Sequence, residues 1–230
     1  MTVDTSLNTF DLAIAAKSRA KLYRFVALHF NRLMDAQFVS QMRDPDFSAM
    51  LNAIGDGADN EDLLTIGAVL MAVFIEKTRA TDVNTLANQL GADRTRLYRG
   101  VSSAYGLQPP YEALWTRNAG SSDLLQELNT IYRHAGVELD AQRPERLDYV
   151  GVELDFMQVL ANREAACWET GDEIAATSLF GAQRQFFSKH LLNWVPVFTA
   201  KALDAAQTDF YRAHLRMLAG LLETERAMLA

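Results

Sequence analysis

The chain has 230 residues, of which 49% are hydrophobic and 22% charged, with 12 glycines and only 5 prolines. That balance excludes disordered and collagen-like chains and leaves one or two globular domains open. A formal charge of −7 removes any overall attraction to nucleic acid or anionic lipid, so neutral or basic partners fit better.

Cys167 is the single cysteine. The chain alone can therefore build neither an intrachain disulfide nor a thiolate metal cluster, which fits the cytoplasm. At the N-terminus, Asp4 and Asp11 stand where a secretory signal would be basic, and the apolar run Leu12 to Ala16 is too short for a signal core. From there on the apolar spacing is helical. Leu22, Val26, His29 and Leu33 repeat on one face near the start, and Tyr211, Leu215, Leu218 and Leu222 near the end. Breaks are predicted at Asp44-Pro45, at Gly55 to Gly57 with Asn60 as N-cap, at Gly91, and at Gly171-Asp172. The apolar run Ile66 to Ile75 is too short to cross a bilayer and is expected to be a buried helix, without membrane insertion. No alternating strand pattern is present. The expectation is an all-α fold of about eight to ten helices over residues 1–230. It carries a long irregular stretch from Val101 to Ser122 and a shorter one from Gly136 to Pro144. These allow sub-halves 1–122 and 123–230.

The strings HExxH and GxSxG and a Gly-Lys-Ser/Thr phosphate loop are absent, so no catalytic residue is assigned. Residues His29, His134, His190 and His214 lack a second ligand at metal spacing; neither a metal nor a cofactor is expected, and His29 and His190 read as hydrogen-bonded core histidines. Residues 82–100 have two readings. One is a helix-turn-helix turning at Gly91 and offering Arg94, Arg96 and Arg99 to DNA, which would make a transcription regulator. The other is two ordinary helices with a solvated arginine face. Farther on, a helix from Arg146 would put Tyr149, Val152, Phe156 and Leu160 on one face and Asp148 and Asp155 on another. Asp140, Glu145, Asp148, Glu153 and Asp155 make its entrance acidic. They suit either a basic, hydrophobic peptide or the positive end of a helix dipole. Near the Pro-Pro pair, Tyr111 and Trp115 are expected to be partly exposed, as client contacts or as pins for the loop.

Three blocks resemble the TorD/DmsD/NarJ-type chaperones of molybdenum oxidoreductases: Arg19 to Leu28; Thr95 to Trp115, with its Pro-Pro-Tyr-Glu box; and Glu145 to Leu160 followed by Gln185 to Phe198. The resemblance implies a helical, cytoplasmic, non-enzymatic chaperone, monomer or homodimer. Its partners would be the catalytic subunit of a molybdopterin oxidoreductase and that subunit's twin-arginine leader, with no nucleic acid, and its binding would delay export until the cofactor is inserted. Carried over by position, it marks Pro109, Pro110, Tyr111 and Glu112 with Trp115 beside them, and Asp148, Tyr149, Glu153, Phe156 and Met157 with Asp155 among them, as client-binding residues. Tyr149 stands where the family's histidine is usual.

Overall fold

The computed structural model describes residues 8–55, 62–100, 107–116, 121–137 and 146–229. Of these, 83% are helical, as the periodicity requires. In chain order the helices are α1 (Thr9–Asn31), α2 (Ala36–Met42), α3 (Pro45–Gly55), α4 (Leu63–Lys77), α5 (Val83–Tyr98), the single turn α6 (Glu112–Trp115), α7 (Ser121–His134), α8 (Val150–Thr170), α9 (Glu173–Phe186), α10 (Leu192–Ala205) and α11 (Asp209–Leu229). A π-helical turn, Phe187–Leu191, joins α9 to α10 without a break.

Short polar side chains start these helices by accepting an orphan amide of the first turn. Asn8 accepts from Asp11 N, Asp35 from Phe38 N, Asp82 from Thr85 N and Asp172 from Ala175 N. Predicted Asn60 lies outside the described residues; Asp62 caps α4. Gly171 ends α8 in the left-handed region at φ 76°, where its lack of a Cβ removes the strain.

Two long pairings organise the bundle, α1 along α8 and α4 along α11. Both need close approach. A Cβ on Gly151 of α8 would fall on Asn31 Oδ1 of α1, and one on Gly220 of α11 would strike the backbone of Leu64 in α4. Around the pairs the buried aromatics Tyr23, Phe30, Tyr98, Trp194, Phe198, Phe210 and Tyr211 fill the interior. His29 and His214 sit within it, their rings 4.9 Å apart. His29 Nδ1 donates to Phe25 O at 2.8 Å, and His214 Nε2 donates to Val26 O at 3.0 Å while Tyr98 OH lies 3.2 Å from Nδ1. Burial lowers the His29 pKa to about 4 and moves His214 in the same direction.

Several expectations are corrected. Gly91 does not break its helix: α5 runs through it, because its φ is ordinary and a helical glycine costs only about 1 kcal/mol against alanine. Nor do its arginines form a free basic face. Arg94 is buried and donates to Phe30 O at 2.6 Å, while Arg96 pairs with Asp93. Asp93 in turn accepts from Thr208 N at 2.7 Å, tying α5 to the start of α11. The helix-turn-helix is therefore absent. Leu33 lies past the end of α1 and is exposed, and α4 is only partly buried, with Val69, Leu70 and Val73 open to solvent. The helix expected from Arg146 begins at Val150. In the predicted loop, α6 forms at residues 112–115 and α7 already starts at Ser121, while 101–106 and 117–120 lie outside the described residues. Asp140, Glu145 and most of the second stretch lie outside them too.

Candidate functional site

The Pro-Pro-Tyr-Glu box and the turn before α8 are held together by backbone. Tyr111 and Tyr149 form an isolated antiparallel bridge. Glu112 N donates to Asp148 O at 2.8 Å and Val150 N to Pro110 O at 3.0 Å. Proline at 109 and 110 suits this geometry, since neither position has to donate. Asp148 itself is fully buried; it accepts Ala113 N at 3.2 Å and a forked pair from Arg146, 2.9 Å on each arm. The Arg146 guanidinium also lies over the Tyr111 ring, 5.1 Å from its centre. An aromatic face and a carboxylate thus bracket one guanidinium.

Beneath the box sits a buried ionisable cluster. Glu112 reaches His190 Nδ1 at 3.0 Å, and Trp194 Nε1 donates to Glu153 Oε2 at 3.3 Å. Glu112, Asp148, Glu153 and His190 are all buried. Burial first, then the neighbouring Glu112 carboxyl, pushes the Glu153 pKa well above the usual carboxylate range. Tyr149 OH donates to Phe30 O at 2.9 Å, the carbonyl that Arg94 also uses, so the phenol ties the box to the C-terminal turn of α1.

The surface of the site is aromatic. Tyr111 and Trp115 are half-buried, as expected. Trp115 Nε1 donates to Pro109 O at 3.0 Å, its ring packs edge-on to Phe198 at 5.5 Å, and Lys201 Nζ sits 5.5 Å from its ring centre. Asp155 is half-buried and accepts from Asn31 Nδ2 at 2.8 Å.

A profile described as nitrate reductase delta subunit matches residues 61–200, more than half of the chain, including the Pro-Pro-Tyr-Glu box, α8 and the segment around His190. The chain belongs to that family. Its curated relatives include the "Chaperone protein TorD" of Photobacterium profundum, 24% identical over 218 residues, which cover 93% of this chain and 94% of the relative. The TorD protein of Vibrio parahaemolyticus is 23% identical over 215 residues, 93% of this chain and 95% of its own length. The "Perchlorate reductase assembly chaperone protein" of Dechloromonas aromatica is 30% identical over 103 residues, 45% of each chain. The chain thus stands among TorD/NarJ-type maturation chaperones, proteins named as chaperones and not as catalysts.

Within this family member, the eleven residues marked by the sequence fall into two layers. Tyr111, Trp115, Pro109 and Asp155 reach the surface, whereas Pro110, Glu112, Asp148, Tyr149, Glu153, Phe156 and Met157 are buried beneath it. Of the acids expected at a solvated helix entrance, Asp148 and Glu153 are interior because α8 starts at Val150, which leaves Asp148 in the turn under the box and points Glu153 at Trp194. Arg146, His190, Trp194 and Lys201 join the site from outside the predicted set. Arg146, His190 and Trp194 lay inside the third resembling block and Lys201 just beyond it; the contacts of Arg146 with Tyr111 and of Lys201 with Trp115 depend on tertiary packing. Among the described residues, no group of three or more metal-ligating side chains comes together, and no helix is long and apolar enough to cross a membrane.

Proposed function

We propose that this chain is a cytoplasmic assembly chaperone. It binds the twin-arginine leader and the body of a molybdenum oxidoreductase catalytic subunit, and holds back export until the cofactor is in place. The names of its relatives, one of them an assembly chaperone of perchlorate reductase, support this class of client. The observation that carries the leader part is the seat of Arg146. Its side chain is 42% exposed, yet it forks onto buried Asp148 and lies over Tyr111. A leader arginine entering from solvent exchanges with Arg146 on the same carboxylate and ring, while the apolar part of the leader runs onto Trp115. Glu112, Glu153, Tyr149, Phe156 and Met157 hold that seat in shape from below.

The test is binding of a labelled leader peptide and of its double-lysine version. Lysine can neither fork onto a carboxylate nor stack flat on a ring, so it should bind about tenfold more weakly. Tyr111→Ala should weaken the arginine peptide alone, and Arg146→Ala should tighten it by removing the competitor. Equal affinity for both peptides, unchanged by Tyr111→Ala, would refute the exchange. The DNA-regulator alternative gains nothing from the buried Arg94 and the paired Arg96.

A further inference from the structure

A pocket of about 840 Å³ lies between α1 and α3 and is lined as well by Asp62 and Leu64 at the start of α4 and by Thr224 of α11. That volume is within the range of a small-ligand site. Ser18, Leu22, Phe25 and Leu28 recur at helical spacing on the α1 side, and Met50, Ala53 and Ile54 do the same on α3. Phe25 and Leu64 are buried, Leu22, Leu28 and Ile54 are half-buried and Met50 is exposed, so the apolar lining runs from the interior out to solvent.

The polar residues of this lining divide into two kinds. Ser18 and Thr224 carry neutral hydroxyls, and the Asp62 carboxylate is engaged as the cap of α4, accepting Leu64 N at 3.1 Å at the positive end of that helix dipole. Lys21 and Arg24 are different. Of the lysines and arginines in α1, Lys17 pairs with Glu169 and Arg19 with Glu164. Lys21 and Arg24 have no carboxylate partner among the described residues, and these are the two that line the pocket. They stand three residues apart, on neighbouring positions of the helix surface. In a chain whose formal charge is −7, two cations left unpaired beside apolar walls point to an anionic group that arrives with a ligand.

We propose that this pocket binds a single-chain carboxylate of the fatty-acid class: the hydrocarbon chain lies along Leu22, Phe25, Leu28 and Ile54, and the carboxylate pairs with Lys21 and Arg24 at the solvent side. The chain takes half-exposed apolar surface out of water. The Arg24 guanidinium offers a fork of N–H donors that matches a carboxylate, and Lys21 adds a second positive charge. A hydrocarbon without a head group leaves both cations unused, and an amphiphile with a positive head is repelled by them. None of these residues belongs to the Pro-Pro-Tyr-Glu surface, so the inference does not depend on the leader reading.

The probe is decanoate, titrated calorimetrically into the full chain below its micelle concentration. Decyltrimethylammonium, with the same chain under a positive head, and acetate, with the head and no chain, are the controls. The expected result is saturable binding of decanoate, with both controls at least tenfold weaker. The double substitution Lys21→Gln, Arg24→Gln should weaken decanoate at least tenfold and leave the melting temperature unchanged, since both side chains are exposed. Ala53→Trp, at an exposed position of α3 on the lining, should weaken it as much by filling the pocket. No decanoate binding, equal binding of decyltrimethylammonium, or unaltered decanoate affinity in either folded variant overturns the proposal. Binding to phosphatidylglycerol vesicles without binding of free decanoate overturns it too and assigns the face to a membrane surface. Affinity for a labelled leader peptide, measured on the double variant, should stay unchanged, which separates failure of this site from failure of the leader reading.

Discussion

Asp148→Asn should destabilise the fold before it affects any partner. The carboxylate is fully buried and accepts three donors: the Ala113 amide at 3.2 Å and both arms of Arg146 at 2.9 Å. Asparagine keeps one acceptor oxygen and turns the other position into a donor, which must then face an N–H of Ala113 or Arg146. Leaving a buried donor unsatisfied costs about 1–3 kcal/mol. Because Arg146 is 42% exposed, solvent screens its share of the ion pair, and that loss adds at most about 1 kcal/mol. The sum, about 1–4 kcal/mol, corresponds to a melting temperature lower by roughly 2–16 °C for a domain of this size. Urea unfolding followed by tryptophan fluorescence measures it directly. A double-mutant cycle with Arg146→Met should return a coupling of about 1 kcal/mol, with most of the Asp148→Asn loss persisting when Arg146 is absent. An unchanged unfolding midpoint for Asp148→Asn would refute this reasoning, whatever the variant does to leader binding.

Glu153→Gln should behave in the opposite way, costing less than about 1 kcal/mol by the same urea measurement. Burial, with the Glu112 carboxyl next to it, favours the neutral form of Glu153, and glutamine has the shape of that form while still accepting from Trp194. Acidification should destabilise the protein through His29. Its folded pKa of about 4 lies below the unfolded value, so the unfolded chain binds the extra proton and stability is lost as pH falls through 6.5 toward 4. The full loss is about 3 kcal/mol, roughly 2 of it by pH 5, and His214 adds to it in the same direction. Denaturation midpoints at pH 7.5 and 5 should differ accordingly, with a smaller difference in His29→Gln. Gly220→Ala should cost about 2 kcal/mol or more in thermal unfolding, because the added methyl meets backbone of Leu64 that has no rotamer to move away.

The sequence by itself determined the helical class, because an apolar stripe every three to four residues can be buried only by a helix. It also determined several helix starts, because the Asp and Asn caps act on amides two or three residues away. The Pro-Pro-Tyr-Glu box and the α8 segment were legible through the resemblance, and Tyr111 and Trp115 are half-buried there. What local signals left open was decided by packing between distant segments. Gly91 reads as a break until Arg94 is seen to reach the end of α1 and Asp93 the start of α11, contacts that hold α5 straight. The acids at Asp148 and Glu153 read as a solvated entrance until the Tyr111–Tyr149 bridge brings in residues some 35 positions away and closes over them. Burial of a charge depends on which partner folds over it, and His190 shows the same dependence. Its Nδ1 faces Glu112, 78 residues earlier in the chain, a contact that no local signal carries.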